Sequence, residues 1–257
     1  MSRSIEPGVL ARAQREFARI AAAENLLEVP IAVAAKPLTP EEAIGTPERR
    51  DYPIIIGKER VIEAVVLGAR GHAFTDSPRD WQGTLAEVLG WPLTSNQERA
   101  IFVATLNATL RHLDRVTGTL HCKDEDPELC AREIAELLQA EYGRARVGLI
   151  GLNPAIAERL VQVFDAARVR ITDLCGESIG RQRFGVEIED GGLGAGALIA
   201  ASDVILVTGT TLVNGTFDAI DRAAREQHRP CWVYGVTAAG VAALCGLRRV
   251  CPYGRDA

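Results

Sequence analysis

The chain lacks a surplus of basic charge. Lysine and arginine total 29 against 34 aspartate and glutamate, a formal net charge of −5. Without a basic stripe, nucleic acid and anionic membrane are not expected as main partners. Arg181 and Arg183 are too few to make one. A long apolar run is also missing: the richest stretch, residues 197–207, is broken by Asp203 and falls short of a membrane span. No signal peptide is evident. Gly8 to Ala23 interleaves apolar residues with Arg12, Arg15, Glu16 and Arg19, the pattern of an amphipathic helix. Six cysteines in a chain of this kind imply a reducing cytoplasm, not a disulfide framework. The Ala/Arg-rich composition suggests a bacterial source. Two familiar nucleotide signatures are absent too. Gly148-Leu-Ile-Gly151 is not the dinucleotide fingerprint, and Gly209 to Gly215 has no phosphate-binding lysine. No Ser/His/Asp order, His-Glu-x-x-His or glycosidase-like carboxylate pair can be defended from spacing, and His72 and His112 stand alone.

What is present is globular: 47% hydrophobic and 25% charged residues over 257 positions, enough to bury a sizeable core. The character of the chain changes near residue 144. Before it, a helix over 7–23 and a strand within 26–34 precede a proline-rich excursion at 36–53. A hairpin around Gly57-Lys58, a strand at 71–74 and a short helix at 81–89 follow. Ser95 and Glu98 have capping-box spacing ahead of Ile101, Phe102, Leu106, Leu110 and Leu113 at helical intervals. A further helix starts at Pro127. Strands followed by helices predict an α+β domain over 1–143. After it, strands at 147–152, 169–172, 204–207, 231–236 and 248–251 alternate with helical segments, and 179–188 reads as a polar connection. That alternation predicts a mostly parallel, doubly wound sheet over 144–257.

Open parallel sheets bind ligands beyond the carboxyl ends of their strands. Four such ends carry suitable groups: Gly151 and Asn153, then Asp173, then Thr208-Gly-Thr-Thr211 with Asn214 and Gly215, then Thr237. Glycines admit a ligand to the backbone and hydroxyls offer hydrogen bonds to it. Thr216 is placed to cap the helix that follows. The same residues also suit ordinary turns, and Asp173 suits a turn cap as well as a ligand contact. A second constellation, His121 to Cys130, gathers an imidazole, two thiols and four carboxylates. Its chemistry suits a soft or borderline metal, with His121, Cys122, Cys130 and, near the inferred pocket, Cys175 as candidate ligands. The spacing is not that of a zinc finger, and Cys130 lies on the apolar stripe of its helix, as a small core residue would.

Together, Val207 to Thr216, Glu189-Asp-Gly191, Thr172-Asp173, Gly235-Val-Thr237 and the closing Cys251-Pro-Tyr-Gly254 resemble the putative heavy-metal chelation family, a prokaryotic family of unknown function. Gly71 to Thr75 and Thr94-Ser-Asn96 add weaker matches in the first half. The resemblance implies an α/β protein, with an enolase-N-terminal-like α+β domain followed by a Rossmann-like domain and a site in the cleft between them. It implies a metal-handling protein that binds a metal ion, or a metal-bearing small molecule, in that cleft. Two other readings stay open. One is a transferase or lyase using a nucleotide-type cofactor such as S-adenosylmethionine. The other is a non-catalytic partner or chaperone of a metalloenzyme. A homodimer is compatible with either.

Overall fold

The computed structural model describes residues 7–34, 38–56 and 59–256. The first unit opens with α1 (Val9–Ala23), whose Val9, Ala13, Phe17 and Ile20 recur at helical spacing and are buried. Strand β1 (Pro30–Ala34) and the short α2 (Pro40–Ile44) follow. The hairpin of β2 (Arg60–Val66) and β3 (Ala69–Thr75) then leads to β4 (Trp81–Thr84). These strands form an antiparallel sheet in the order β3-β2-β1-β4. A hairpin turn lies at Leu67-Gly68, both with positive φ; the hairpin expected at Gly57-Lys58 falls outside the described residues. The segment expected as one helix at 81–89 divides. Its first half is β4, and Thr84 then caps α3 (Leu85–Leu89) in a capping box with Glu87.

Helix α4 (Asn96–His112) begins at Ser95, which accepts from the Glu98 backbone N–H while the Glu98 carboxylate accepts from the Ser95 N–H. Every residue from Ala100 to Leu110 is buried. The sequence pattern suggested one apolar face. The all-round burial arises because α4 lies against β2 and β3 on one side and against helices of the second unit on the other. Helix α5 (Asp126–Tyr142) closes the first half of the chain.

The second sheet is built from β5 (Val147–Ile150), α6 (Pro154–Phe164), β6 (Val169–Asp173), β7 (Gln182–Arg183), β8 (Val186–Asp190) and α7 (Gly191–Ala201). Next come β9 (Val204–Thr208), α8 (Thr210–Asn214), α9 (Phe217–Glu226), β10 (Cys231–Tyr234), α10 (Ala239–Cys245) and β11 (Arg248–Val250). The order is β11-β10-β9-β5-β6-β8-β7, parallel except for β7 against β8. Counting only the parallel strands by appearance, that is 3-2-1-4-5-6, the doubly wound order that reverses direction between its first and fourth strands. Strand β8 occupies what reads in sequence as a polar connection. Only Val186 and Ile188 are apolar, alternating with Glu187 and Glu189, so a two-residue period was mistaken for a loop.

Both faces of the large sheet are covered, as a parallel sheet requires. Along β9, Val204 and Leu206 enter a core with residues of α5 and α6, including Ile134, Leu138 and Leu160. Ile205 and Val207 enter another with Phe17 of α1, Leu106 of α4 and Val241 of α10. Both cores therefore draw on both halves of the chain, since Ile44 and Val61 lie in the first of them. Asn107 of α4 stitches them together with three buried bonds. Its amide donates to the carbonyls of His72 at 2.9 Å and Val236 at 3.1 Å, and its oxygen accepts from the Gly240 N–H at 2.7 Å.

Candidate functional site

Strands β5, β6, β9 and β10 run parallel, so their carboxyl ends meet at one edge. There the loops they feed line a single cleft of about 1760 Å³. Gly151, Asn153, Asp173, Cys175, Thr208 to Thr211, Asn214, Gly215 and Thr237 all line it. The facing wall comes from the first half of the chain: Ile54, Glu59, Phe74, Thr75, Asp76 and His121.

Several of these residues turn out to be braces. Asp173 accepts from the Leu152 N–H at 2.6 Å through one oxygen and from the Cys175 N–H at 2.7 Å through the other. It thus ties the loop after β5 to the loop after β6, the turn role open to it in the sequence. Asn153 caps α6 by accepting from the Ile156 N–H. Gly151 has φ +88, and a Cβ there would lie 2.4 Å from Thr208 Cγ2, so only glycine fits where β5 and β9 end side by side. Tyr234 donates its hydroxyl to the Gly151 carbonyl at 2.9 Å. The Thr237 hydroxyl accepts from the Phe74 N–H at 3.1 Å, which joins the two walls.

The run from Thr208 to Thr216 is not an open turn. It folds into α8, and Gly215 ends that helix in the left-handed conformation. Thr216 precedes α9 in helical geometry without a side-chain cap bond, so the expected N-cap role is not taken up. The Thr211 hydroxyl donates to the Thr208 carbonyl at 2.6 Å, and Thr210 and Thr208 share a hydroxyl bond at 3.0 Å. Asn214 Oδ1 accepts from the N–H and hydroxyl of Thr216. Gly209 has ordinary helical angles; its missing side chain makes room for Ala238, whose backbone nitrogen would lie 3.0 Å from a Cβ. A valine there disturbs this packing before it reaches a ligand. Arg99 of α4 braces the far end of α8, donating to the Val213 carbonyl at 2.6 Å.

The groups less committed to the fold lie mainly on the opposite wall. Burial, with the nearby Asp173 and Asp76 carboxylates, pushes the Glu59 carboxyl up to about 7. No hydrogen bond to its side chain occurs among the described residues. Burial pushes the His121 imidazole down to about 4, so it is neutral at physiological pH. Its ring stands edge-on to Phe74 with centroids 5.1 Å apart, and its Nδ1 is buried without a partner among the described residues. Thr172 is fully buried, lines the cleft and has a hydroxyl without a partner among the described residues. No local pattern points to Glu59 or Asp76 as site residues. Glu59 sits in a charged Lys-Glu-Arg run that reads as a solvated turn, and Asp76 follows a strand of the other sheet.

The candidate metal ligands are dispersed. His121 and Cys175 line the cleft. Cys122 and Cys130 are buried, and Cys130 belongs to the core with Ile134 and Leu138. Among the described residues no group of three or more His, Cys, Asp or Glu side chains is placed to hold a metal ion. The described side chains alone therefore do not assemble a bare-ion centre. All six cysteines are free thiols.

The proline-rich excursion forms one rim of the cleft and is fastened by charge. Arg49 pairs with Glu128 at 2.5 Å and with Glu158 and Asp51, Tyr52 donates to Glu128 at 2.9 Å, and Asp51 reaches Arg183 at 2.5 Å. Arg49 and Arg183 both lie over the Phe184 ring.

Residues 133–248 match the family model DUF364, described as "Putative heavy-metal chelation". The chain is similar in structure to a protein of unknown function from the DUF364 family of Pyrococcus horikoshii. The identity is 15%, the TM-score 0.54, and the match covers 90% of this chain and 80% of that one. It is also similar to a DUF364 protein of unknown function from Desulfitobacterium hafniense at 16% identity and TM-score 0.45, over 72% of this chain and 71% of that one. No curated protein matches the chain. At 15% identity the likeness to the Pyrococcus horikoshii protein establishes the fold alone. Among the described residues no helix is long and apolar enough to cross a membrane.

Proposed function

We propose that the cleft binds a metal-bearing small molecule, in which a chelator supplies most of the metal's ligands and the protein holds the complex. The observation that carries this reading is the joining of four parallel strand ends and a facing carboxylate wall in one space of about 1760 Å³. That volume is above the range of about 300–1,000 Å³ usual for a small-molecule site and far beyond what a bare ion fills. Glu59 and Asp76 give the facing wall a negative side that favours cationic cargo, while glycines and hydroxyls across from them suit the chelator. The match of residues 133–248 to a heavy-metal chelation family supports the same class of ligand. A second reading has one specific observation in its favour. The sheet reverses between β5 and β9 directly beneath the cleft, where Rossmann-like sheets hold nucleotides, so an enzyme using a nucleotide-type cofactor is the alternative.

Calorimetric titration separates the two. Ni²⁺, Zn²⁺ and Cu²⁺ would be titrated free and as their citrate and histidine complexes, with S-adenosylmethionine as the nucleotide-type probe. The metal complexes should bind at one site per chain, and Glu59→Gln should weaken that binding about tenfold, as loss of one charged contact does. Binding of S-adenosylmethionine with no response to any complex would favour the alternative; binding of the free ions alone at full stoichiometry would refute the chelate reading.

A further inference from the structure

The cleft continues past the strand ends into a groove between two helices of the second unit. It is lined there by Ala195, Gly196 and Ile199 of α7 and by Ala219, Ile220 and Ala223 of α9. Each set occupies positions i, i+1 and i+4, so each belongs to one face of its helix. The two helices pack beside one another. Ile199 and Ile220 belong to the core, whereas Gly196 and Ala219 are exposed. Small side chains keep the groove open: a Cβ on Gly196 would meet no atom within 4 Å. No polar side chain stands at any of these positions, so the groove is apolar.

Thr172 lies at the strand-end side of this groove, beside the first turns of α7. It follows Arg170 by two residues on β6, so both side chains leave the same face of the sheet. Helix α7 covers that face. Arg170 donates to the Ala197 carbonyl at 3.0 Å, and a Cβ on Gly194 would lie 3.7 Å from Thr172 Cγ2. Thr172 is fully buried and lines the cleft, yet its hydroxyl has no partner among the described residues. A buried hydroxyl left unpaired is costly, and a polar atom of a ligand in the cleft can supply the bond. The facing wall carries the Glu59 and Asp76 carboxylates. One continuous space of about 1760 Å³ thus joins an acidic wall, a waiting hydroxyl and an apolar groove. A compact chelate fills only part of it.

We propose that the molecule held in the cleft is amphipathic. Its cationic or metal-bearing head lies against Glu59 and Asp76, a polar link bonds to the Thr172 hydroxyl, and an apolar arm lies between α7 and α9. The metal-bearing nature of the head rests on the chelate reading; the link and the arm do not. Charge complementarity sets the direction in which the molecule lies. The carboxylates hold the head at the facing wall, and the groove, which offers an ion nothing, takes the arm. Each methylene buried there strengthens binding about fourfold.

The test titrates the full chain with two probe series in a calorimeter. One is the Ni²⁺ complexes of N-alkyl iminodiacetates with methyl, butyl and octyl chains. The other is the metal-free n-alkylammonium ions with the same chains. Affinity should rise with chain length in both, about fourfold per methylene until the groove is full. Ala219→Phe, on the exposed side of α9, should flatten the rise, and Ala223→Phe serves as the block if that variant does not fold. N-(2-aminoethyl)octanamide, which adds an amide link, should lose about fivefold in affinity on Thr172→Val, while octylammonium should not. No dependence on chain length in either series overturns the proposal, and so does a rise that both blocking variants leave intact. A rise confined to the alkylammonium ions keeps the arm and discards the chelate reading of the head. A dimer in light scattering, with both series inert, would mean that a second copy of the chain covers the groove, and that too overturns the proposal.

Discussion

Glu59 is the single residue whose chemistry departs most from its appearance in the sequence. The folded protein holds its carboxyl near 7 against an ordinary 4.5. Between those values the folded chain keeps a proton that the unfolded chain gives up, so stability falls as pH rises through that interval. Glu59→Gln removes the ionisable group while keeping its shape. The variant should match wild type in urea unfolding below pH 4.5 and exceed it by about 1 kcal/mol at pH 8, a figure reduced for solvent screening at the cleft. A variant less stable than wild type at pH 8 would mean that the ionised carboxylate has an attractive partner. The cleft residues legible in the sequence were those at the ends of parallel strands, since one topological rule places Asn153, Asp173 and Thr237 together. Their individual roles were not legible. Asp173, Thr237 and Thr211 spend their hydrogen-bonding groups on the fold, and which bonds a hydroxyl makes is decided by neighbours distant in sequence. Glu59 and His121 enter from the other sheet, a juxtaposition that no local pattern records.

Among the elements, α4 matters most. Its start was readable because a capping box is a local signature, and Ser95 and Glu98 form it as spaced. Its burial was not readable, since period-3.6 patterning reports one face and α4 has none exposed between Ala100 and Leu110. Asn107 sits in the middle of that segment with all three of its bonds crossing to other elements. Asn107→Leu would strand the His72 and Val236 carbonyls and the Gly240 N–H in an apolar interior, a loss of about 3 kcal/mol or more. Thermal denaturation should show it as a large drop in melting temperature; a near-neutral result would mean that buried water replaces the amide. Strand β8 and helix α8 were missed for opposite reasons. Two apolar residues are too few to register a strand when a hairpin shields its edge, and Thr-Thr-Leu-Val-Asn has weak helix propensity that tertiary packing, including the Arg99 brace, overrides.

At the scale of the molecule, the two sheets are separate but both cores are shared. Phe17, Ile62 and Leu106 from the first half pack in the same cluster as Ile205, Val233 and Val241 from the second. Residues 1–143 and 144–257 made separately should therefore not fold on their own, because each would expose its share of that cluster, and α5 would be cut from its place beside α6. Circular dichroism of the two fragments, alone and mixed, tests this; a cooperative melt for either one alone would show that its share of the core suffices. The shared cluster bears equally on how the cleft can work. A receptor that snaps shut needs a hinge, and a hinge needs walls free to part. Here α4 is wedged in oil on both sides, so swinging the walls would tear open the interior. The cleft is accordingly a rigid bowl, entered past its charged rim and not by jaw-like closure. Solution scattering curves with and without saturating ligand should superimpose.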